Sequence, residues 1–245
     1  MIERQHEIPT TDGSCTTFIV HPERDGPFPI VLFFMDAPAI REELRDMARR
    51  IATAGYYVML PNLYYRKGVM ELADLPPLAE EKARERMFEL MGSLTVPLVM
   101  DDADALLDYA DRDAACSKGK AGAVGYCMSG QYAINFAARH PERIAAAASI
   151  YGVQLVTDGP DSPHLVAQKA RGELYFACAE TDRWAPLEMV QALDTALKTG
   201  QVRAEVELYP GVEHGFAFPQ RAAYDKPSAE RHWERLFALF RRNLG

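Results

Sequence analysis

The stretch that most constrains this chain is residues 120–130, KAGAVGYCMSG, where a small-residue apolar run stops abruptly at Gly125-Tyr126-Cys127-Met128-Ser129-Gly130. A strand that turns at once, between glycines, into a helix presents the side chain of the turn residue to a ligand. That residue is Cys127. The helix expected after it, through about His140-Pro141, aims its N-terminal N–H groups and positive dipole end at the sulfur, a setting that suits a nucleophile. The plain alternative is a cysteine that only packs, since free cysteines are often buried.

The remaining chain supplies a sheet for that strand. Residues 4–8 and 15–20, separated by Thr11-Asp12-Gly13, read as an opening hairpin at an antiparallel edge. Residues 29–35 are unbroken apolar sequence, as in a parallel strand buried on both faces, and Asp36 stands at its C-terminal end. From Ile40, apolar residues three and four apart (Leu44, Met47, Ala48, Ile51) predict an amphipathic helix closed by Gly55, and residues 56–60 form the next strand, ended by Pro61. Strand, helix, strand is a crossover unit of a parallel sheet. Residues 62–78, with Pro76-Pro77, read as irregular, followed by helices at about 79–91 and 96–110. After residues 120–126 and their helix come strands at 144–150, 173–178 and 204–209. The stretch 157–171 reads as a loop with one short helix, and another helix spans about 185–198, stopped by Gly200. The closing helix carries Trp233, Leu236, Phe237, Phe240 and Leu244 on one face. About eight strands alternating with helices predict one α/β domain over residues 1–245, an open, mostly parallel sheet with helices on both faces.

Ligands of such sheets bind outside the carboxyl ends of the strands. Asp36, Cys127, Asp182 and His214 all follow predicted strands, and the last three stand in the order nucleophile, acid, histidine. That order belongs to α/β-hydrolases, where the histidine takes the nucleophile's proton and a carboxylate fixes its tautomer. Taken singly, each residue has a simpler reading: Asp182 as a cap of the helix near Pro186, His214 as a loop residue. Glu180 is the alternative acid.

At this point the chain resembles the dienelactone hydrolases (carboxymethylenebutenolidases) of the α/β-hydrolase fold. The resemblance covers nearly the whole chain and is carried by Gly125–Gly130, the acidic residue at 36, Gly55-Tyr56, Pro61-Asn62-Leu63-Tyr64, Tyr151-Gly152, Asp182 and His214-Gly215-Phe216. It implies a Cys127, His214, Asp182 triad and an oxyanion hole from the backbone N–H groups of Met128 and Ala37. Three positions depart from the family pattern. Ser129 replaces a usual glycine. Asp36 replaces a glutamate that modulates the resting cysteine. Phe218 stands four residues after the histidine, where the family has an arginine for the substrate carboxylate; the family's other arginine matches Arg84, and Arg221 is the nearest replacement for the missing one. A guanidinium forms paired charged hydrogen bonds that phenylalanine cannot replace, so affinity for an anionic lactone is expected to fall. Arg84 lies in the charge-laced EEKARERMFEL, which also reads as a solvated helix face.

Composition enters by exclusion. With 27 Lys+Arg against 35 Asp+Glu and a net charge of −8, a broad basic surface for nucleic acid or anionic membrane is not expected. Four cysteines without a C-x-x-C pair argue against a zinc cluster or disulfide framework, and fit a reduced cytoplasm. No metal motif or G-x-G-x-x-G occurs, so no cofactor is expected. Neither a signal peptide nor a membrane-spanning run is expected. His6, His21 and His232 sit in polar contexts and are expected to be exposed. His140 reads as a helix end and His164 as structural or surface, with Tyr151 and Trp184 lining the pocket. The leading expectation is hydrolysis of small lactones or esters through a Cys127 thioester. The alternatives are another acyl substrate such as a thioester, and a ligand-binding or redox-responsive protein without turnover, which like-charge repulsion between Asp36 and a thiolate would favour.

Overall fold

The apolar runs read above as strands do form strands, because a strand covered on both faces removes all its side chains from water. The computed structural model describes residues 1–71 and 80–245. It contains eight strands of a mostly parallel sheet, with helices between them. Two compact units, Met1–Lys118 and Gly119–Gly245, are described in turn.

In the first unit, β1 (Ile2–Thr10) and β2 (Gly13–His21) form the expected antiparallel hairpin, paired from Ile2↔His21 to Thr10↔Gly13. Both run longer than the sequence indicated, since only the two-residue turn interrupts the pairing. β3 (Ile30–Phe34) and β4 (Tyr57–Pro61) are parallel, joined through α1 (Glu42–Thr53), and the strand order is β1-β2-β4-β3. α1 buries Leu44, Met47, Ala48 and Ile51, the face that the sequence spacing marks. A 3₁₀ turn at Tyr65–Lys67 interrupts the stretch read as irregular, whose Pro76-Pro77 lies outside the described residues. α2 (Glu80–Gly92) and α3 (Val96–Ala110) follow, the latter capped by Thr95, whose hydroxyl accepts from the Leu98 N–H at 3.4 Å.

The second unit is a parallel sheet in the order β5 (Ala121–Tyr126), β6 (Ile144–Ile150), β7 (Glu173–Thr181) and β8 (Ala204–Glu213). Its helices are α4 (Gly130–Arg139), α5 (Pro163–Val166), α6 (Leu187–Thr199) and α7 (Lys226–Leu244). The alanines of β6 keep that strand thin, and α4 packs directly against it. α7 buries Trp233, Leu236, Leu239, Phe240 and Leu244. Phe237 remains partly exposed and stacks on Trp233 at 5.5 Å.

Two histidines expected at the surface are buried. His232 lies on the packed face of α7, one residue before Trp233; its Nδ1 donates to the Ala229 carbonyl and its Nε2 lies 3.0 Å from the Tyr126 hydroxyl. His21 stacks on Tyr57 at 5.3 Å, donates from Nδ1 to the Pro22 carbonyl (2.8 Å) and accepts from Arg4 at Nε2 (3.0 Å). Their polar sequence neighbours concealed this, because burial of a polar ring depends on partners distant in sequence that satisfy both nitrogens.

Candidate active site

The four parallel strands of the second unit end at one edge, and each delivers a residue there: Cys127 after β5, Tyr151 after β6, Asp182 after β7 and His214 after β8. Cys127–Ser129 is a single 3₁₀ turn leading into α4, as the glycine-flanked motif predicts. Cys127 has φ 55°, in the left-handed region that costs a side-chain-bearing residue and tends to mark functional turns. The flanking glycines are needed for close approach. A Cβ at Gly125 would sit 2.0 Å from the Ser129 carbonyl oxygen, and one at Gly130 only 2.6 Å from the Gly152 Cα. Ser129 itself has φ −91°, so a serine fits this turn without backbone strain.

The Cys127 carbonyl accepts from the Gly130 and Val153 N–H groups, the latter at 3.1 Å. Because the trans peptide is planar, fixing that carbonyl also fixes the Met128 N–H, which points the opposite way. Gln131 steadies the next peptide by donating to the Met128 carbonyl at 3.1 Å.

Asp182 is buried, and its two oxygens divide their work. Oδ1 accepts from the N–H groups of Trp184 (2.8 Å) and Ala185 (3.2 Å), while Oδ2 accepts from His214 Nδ1 at 2.7 Å. Asp182 thus shapes the turn after β7 and holds the histidine with one side chain; it does not cap the following helix as the simpler reading had it, since Pro186 is that helix's N-cap and no side chain bonds there. Since a carboxylate only accepts, the proton sits on Nδ1. Cys127 is the second side chain that raises the His214 pKa, and with Nδ1 engaged by Asp182 the nitrogen left for the sulfur is Nε2. Burial alone lowers the pKa of the imidazole. Burial is the largest single influence, but the Asp182 hydrogen bond, the effect of Cys127 and the charges of both partners together outweigh it and push the pKa up to about 9. Such a row can move a proton between a sulfur and a bound oxygen.

Of the four cysteines, Cys127 is the one with appreciable exposure. Burial, followed by the charge of Asp182, pushes the Cys178 thiol up to about 12. Glu180 spends its carboxylate on the Gly211 N–H (2.7 Å), and His214 takes Asp182 instead.

The other nominated residues divide between wall, core and surface. Tyr151 is buried with φ 36° and sets its ring edge-on against His214, centroids 5.0 Å apart. Phe218 is fully buried and packs on Tyr126 and Tyr151 (5.4 and 6.0 Å), as a core ring supporting the histidine's neighbours. Arg221 lies over the Phe218 ring at 5.3 Å, and its Cδ would be 3.0 Å from a Cβ at Gly215, the residue after His214. Trp184 is 44% exposed, beneath the Arg183 guanidinium at 4.6 Å. His164 bonds Ser162 Oγ at 2.7 Å and stays structural.

In the first unit, Asp36 and Ala37 follow β3, and Arg84 is exposed on α2. The Asp36 carboxylate is fully buried and gripped by Arg41 at both oxygens, 2.6 and 3.1 Å, while the same guanidinium donates to Glu43 at 2.8 and 3.0 Å. Sequence reasoning missed Arg41. It stands five residues after Asp36 in a charged run that reads as the start of a surface helix. Among the described residues, no group of three or more His, Cys, Asp or Glu side chains is arranged to hold a metal, and no helix is long and apolar enough to cross a membrane.

Known proteins resemble this chain over nearly its whole length. An Escherichia coli protein named "Putative carboxymethylenebutenolidase" is 28% identical over 244 residues, covering 97% of this chain and 86% of that protein. A Bradyrhizobium protein named "Probable 2-oxo-3-(5-oxofuran-2-ylidene)propanoate lactonase" is 25% identical over 242 residues, covering 97% of this chain and 93% of its own length. The crystal structure of a "Putative Dienelactone Hydrolase" from Klebsiella pneumoniae matches with a TM-score of 0.87 at 26% identity, covering 98% of each chain. The family model for dienelactone hydrolases matches residues 15–244. The chain therefore belongs to the dienelactone hydrolase family, lactone and ester hydrolases on the α/β-hydrolase fold.

Proposed function

We propose that this protein hydrolyses small lactones or esters through an acyl thioester on Cys127. The observation that carries the reading is the row Asp182, His214, Cys127, with the sulfur raised on a left-handed turn at the strand edge. Cys127 Sγ attacks the substrate carbonyl carbon and its proton passes to His214 Nε2. The displaced electron pair goes to the carbonyl oxygen, where the Met128 N–H and, following the family resemblance, the Ala37 N–H stabilise the charge. As the carbonyl re-forms, the bond to the leaving oxygen breaks and His214 protonates that oxygen. In a lactone the released alcohol stays tethered to the acyl group. Water then attacks the thioester, giving its proton to His214; the C–S bond breaks and the sulfur recovers the proton. The products are an acid and an alcohol, joined in one hydroxy acid when the substrate is a lactone. The sequence balances without a cofactor.

Asp182 holds the imidazole in the tautomer that leaves Nε2 for the sulfur, and its charge favours the protonated ring formed on the way. Arg221 is the candidate for a substrate carboxylate, with Tyr151 and Trp184 as walls and Asp36 as modulator of the resting sulfur. Replacing Cys127 by alanine is expected to abolish turnover of an activated short-chain ester and of simple lactones, and rapid-quench mass spectrometry of the wild type is expected to trap acyl adducts on Cys127. Full activity in Cys127→Ala refutes the reading.

A further inference from the structure

The buried imidazole of His232 takes no part in the reaction above, although it touches the residue next to the cysteine turn. Along β5, side chains alternate between the two faces of the sheet. A Cβ on Gly122 would meet Leu244 and Phe240 of α7 at 3.0 and 3.1 Å, so Val124 and Tyr126 face α7 as well. Gly125 brings no side chain and Cys127 is the turn residue itself, which leaves Tyr126 as the side chain that anchors the strand end beside the turn. Its ring is fully buried, and its hydroxyl lies 3.0 Å from His232 Nε2. Because His232 Nδ1 donates to the Ala229 carbonyl, Nε2 carries the lone pair that accepts from the Tyr126 hydroxyl.

The same helix holds the loop that carries His214. The Phe216 N–H donates to the Glu213 carbonyl at 3.2 Å and the Phe218 N–H to the Gly215 carbonyl at 3.1 Å, so the loop is wound tightly around the histidine. The N–H of Asp225, the N-cap of α7, donates to the Phe216 carbonyl at 3.1 Å. About two turns further along α7, the His232 ring stands edge-on to both Tyr126 and Phe216, at 5.8 and 6.3 Å. α7 is therefore a common frame: its start grips the chain two residues after His214, and His232 grips the residue before Cys127. The turn needs such support, because the φ of 55° at Cys127 is a strained value that persists only where the surroundings over-determine it.

We infer that His232 is a positioning residue for the hydrolysis: by accepting the Tyr126 hydroxyl it ties the cysteine turn to α7, the helix whose start also holds the His214 loop, and so keeps nucleophile and base in register. The inference rests on the hydrolase reading above and adds to it a residue that never touches substrate. A hydrogen bond suits this task better than packing alone, because it fixes the ring along its own axis, where a ring among other rings can slide.

The test is Tyr126→Phe, which removes only the hydroxyl, assayed on an activated ester beside the wild type and Cys127→Ala. We expect kcat to fall by about 10- to 100-fold with KM little changed, the upper figure being the effect of misplacing a reacting group by about 1 Å. His232→Leu is expected to give the same split, and His232→Gln, whose amide oxygen again offers the Tyr126 hydroxyl an acceptor, is expected to recover most of kcat. The double variant Tyr126→Phe with His232→Leu separates position from stability. It strands neither half of the bond, so its Tm is expected to return close to the wild-type value while kcat stays low. It also takes the place of Tyr126→Phe should that variant fail to fold. Tyr175→Phe is the control: it removes another buried tyrosine hydroxyl of this unit, one that donates to Glu207 at 2.6 Å, and is expected to lower Tm and leave kcat unchanged. Unchanged kcat in folded Tyr126→Phe, a kcat in the double variant that returns together with Tm, or equal kcat in His232→Gln and His232→Leu each overturn this inference and leave the hydrolase reading standing. Equal rates in wild type and Cys127→Ala overturn both.

Discussion

Replacing Asp182 by asparagine probes the centre of the site with little disturbance to the fold. The amide keeps an oxygen for the Trp184 and Ala185 N–H groups, so the turn after β7 persists. What changes is the atom 2.7 Å from His214 Nδ1, where an acceptor becomes a donor. The ring then moves its proton to Nε2, and the nitrogen that should receive the sulfur's proton is blocked. We expect kcat to drop by roughly a hundredfold to ten-thousandfold, the upper figure being that of the same change in a serine protease. The rise of the His214 pKa from 6.5 to about 9 corresponds to roughly 3 kcal/mol of preference for the protonated ring, and little of it is screened, because the side chains of His214 and Asp182 are 15% and 0% exposed. Asp182 provides the largest upward share of that rise. His214 must be neutral to take the sulfur's proton, so wild-type activity is expected to climb with pH toward about 9, and without Asp182 that acid limb moves toward neutrality. Stability runs the other way with pH. A pKa raised on folding gives a contribution that is complete below the unfolded value of 6.5 and is lost as pH climbs through about 9, so the wild-type Tm declines across that window and the variant's declines less. The assays are ester hydrolysis over a pH series and Tm over the same buffers. An unshifted acid limb with near wild-type kcat refutes the arrangement.

Three further outcomes can be checked independently. Arg41→Met strands the buried carboxylates of Asp36 and Glu43 without their shared cation and is expected to cost about 3–5 kcal/mol in chemical denaturation; a loss within experimental error contradicts the clamp. Gly125→Ala forces a Cβ to within 2.0 Å of backbone and is expected to destabilise by about 3 kcal/mol or prevent folding, whereas Ser129→Gly stays within about 1 kcal/mol; equal Tm changes for the two argue against the tight elbow. Arg221→Gln is expected to raise KM about tenfold for carboxylate-bearing lactones and leave neutral esters unaffected, and a uniform effect on both substrates removes Arg221 from substrate recognition.

Much of the site was legible along the chain because its signals are local. Gly125 and Gly130 report a tight turn around Cys127, and strands that stop just before residues 127, 182 and 214 are visible as apolar runs meeting polar residues. Strand ends of a parallel sheet lie at one edge, so the order of three residues in the sequence was enough to nominate a constellation. Strand lengths were less legible: β7 and β8 run on to Thr181 and Glu213 through polar residues, where ladder hydrogen bonds with a neighbour, absent from any periodicity, extend the pairing.

What tertiary structure decided is the partner of each polar group. Nothing in the spacing said that Asp182 divides its oxygens between a turn and His214, or that Asp36 is held by Arg41. The burial of His232 between α7 and Tyr126, and of Phe218 as a core ring under Tyr151, was equally invisible. The bond from Tyr64 to Ala37 joins the ends of two neighbouring strands across 27 positions of sequence. Apolar patterning selects which segments become strands and helices, since burial acts on every residue of a segment alike. A hydrogen bond between distant side chains depends on atoms meeting within a few tenths of an ångström, and that distance exists only once the chain has folded.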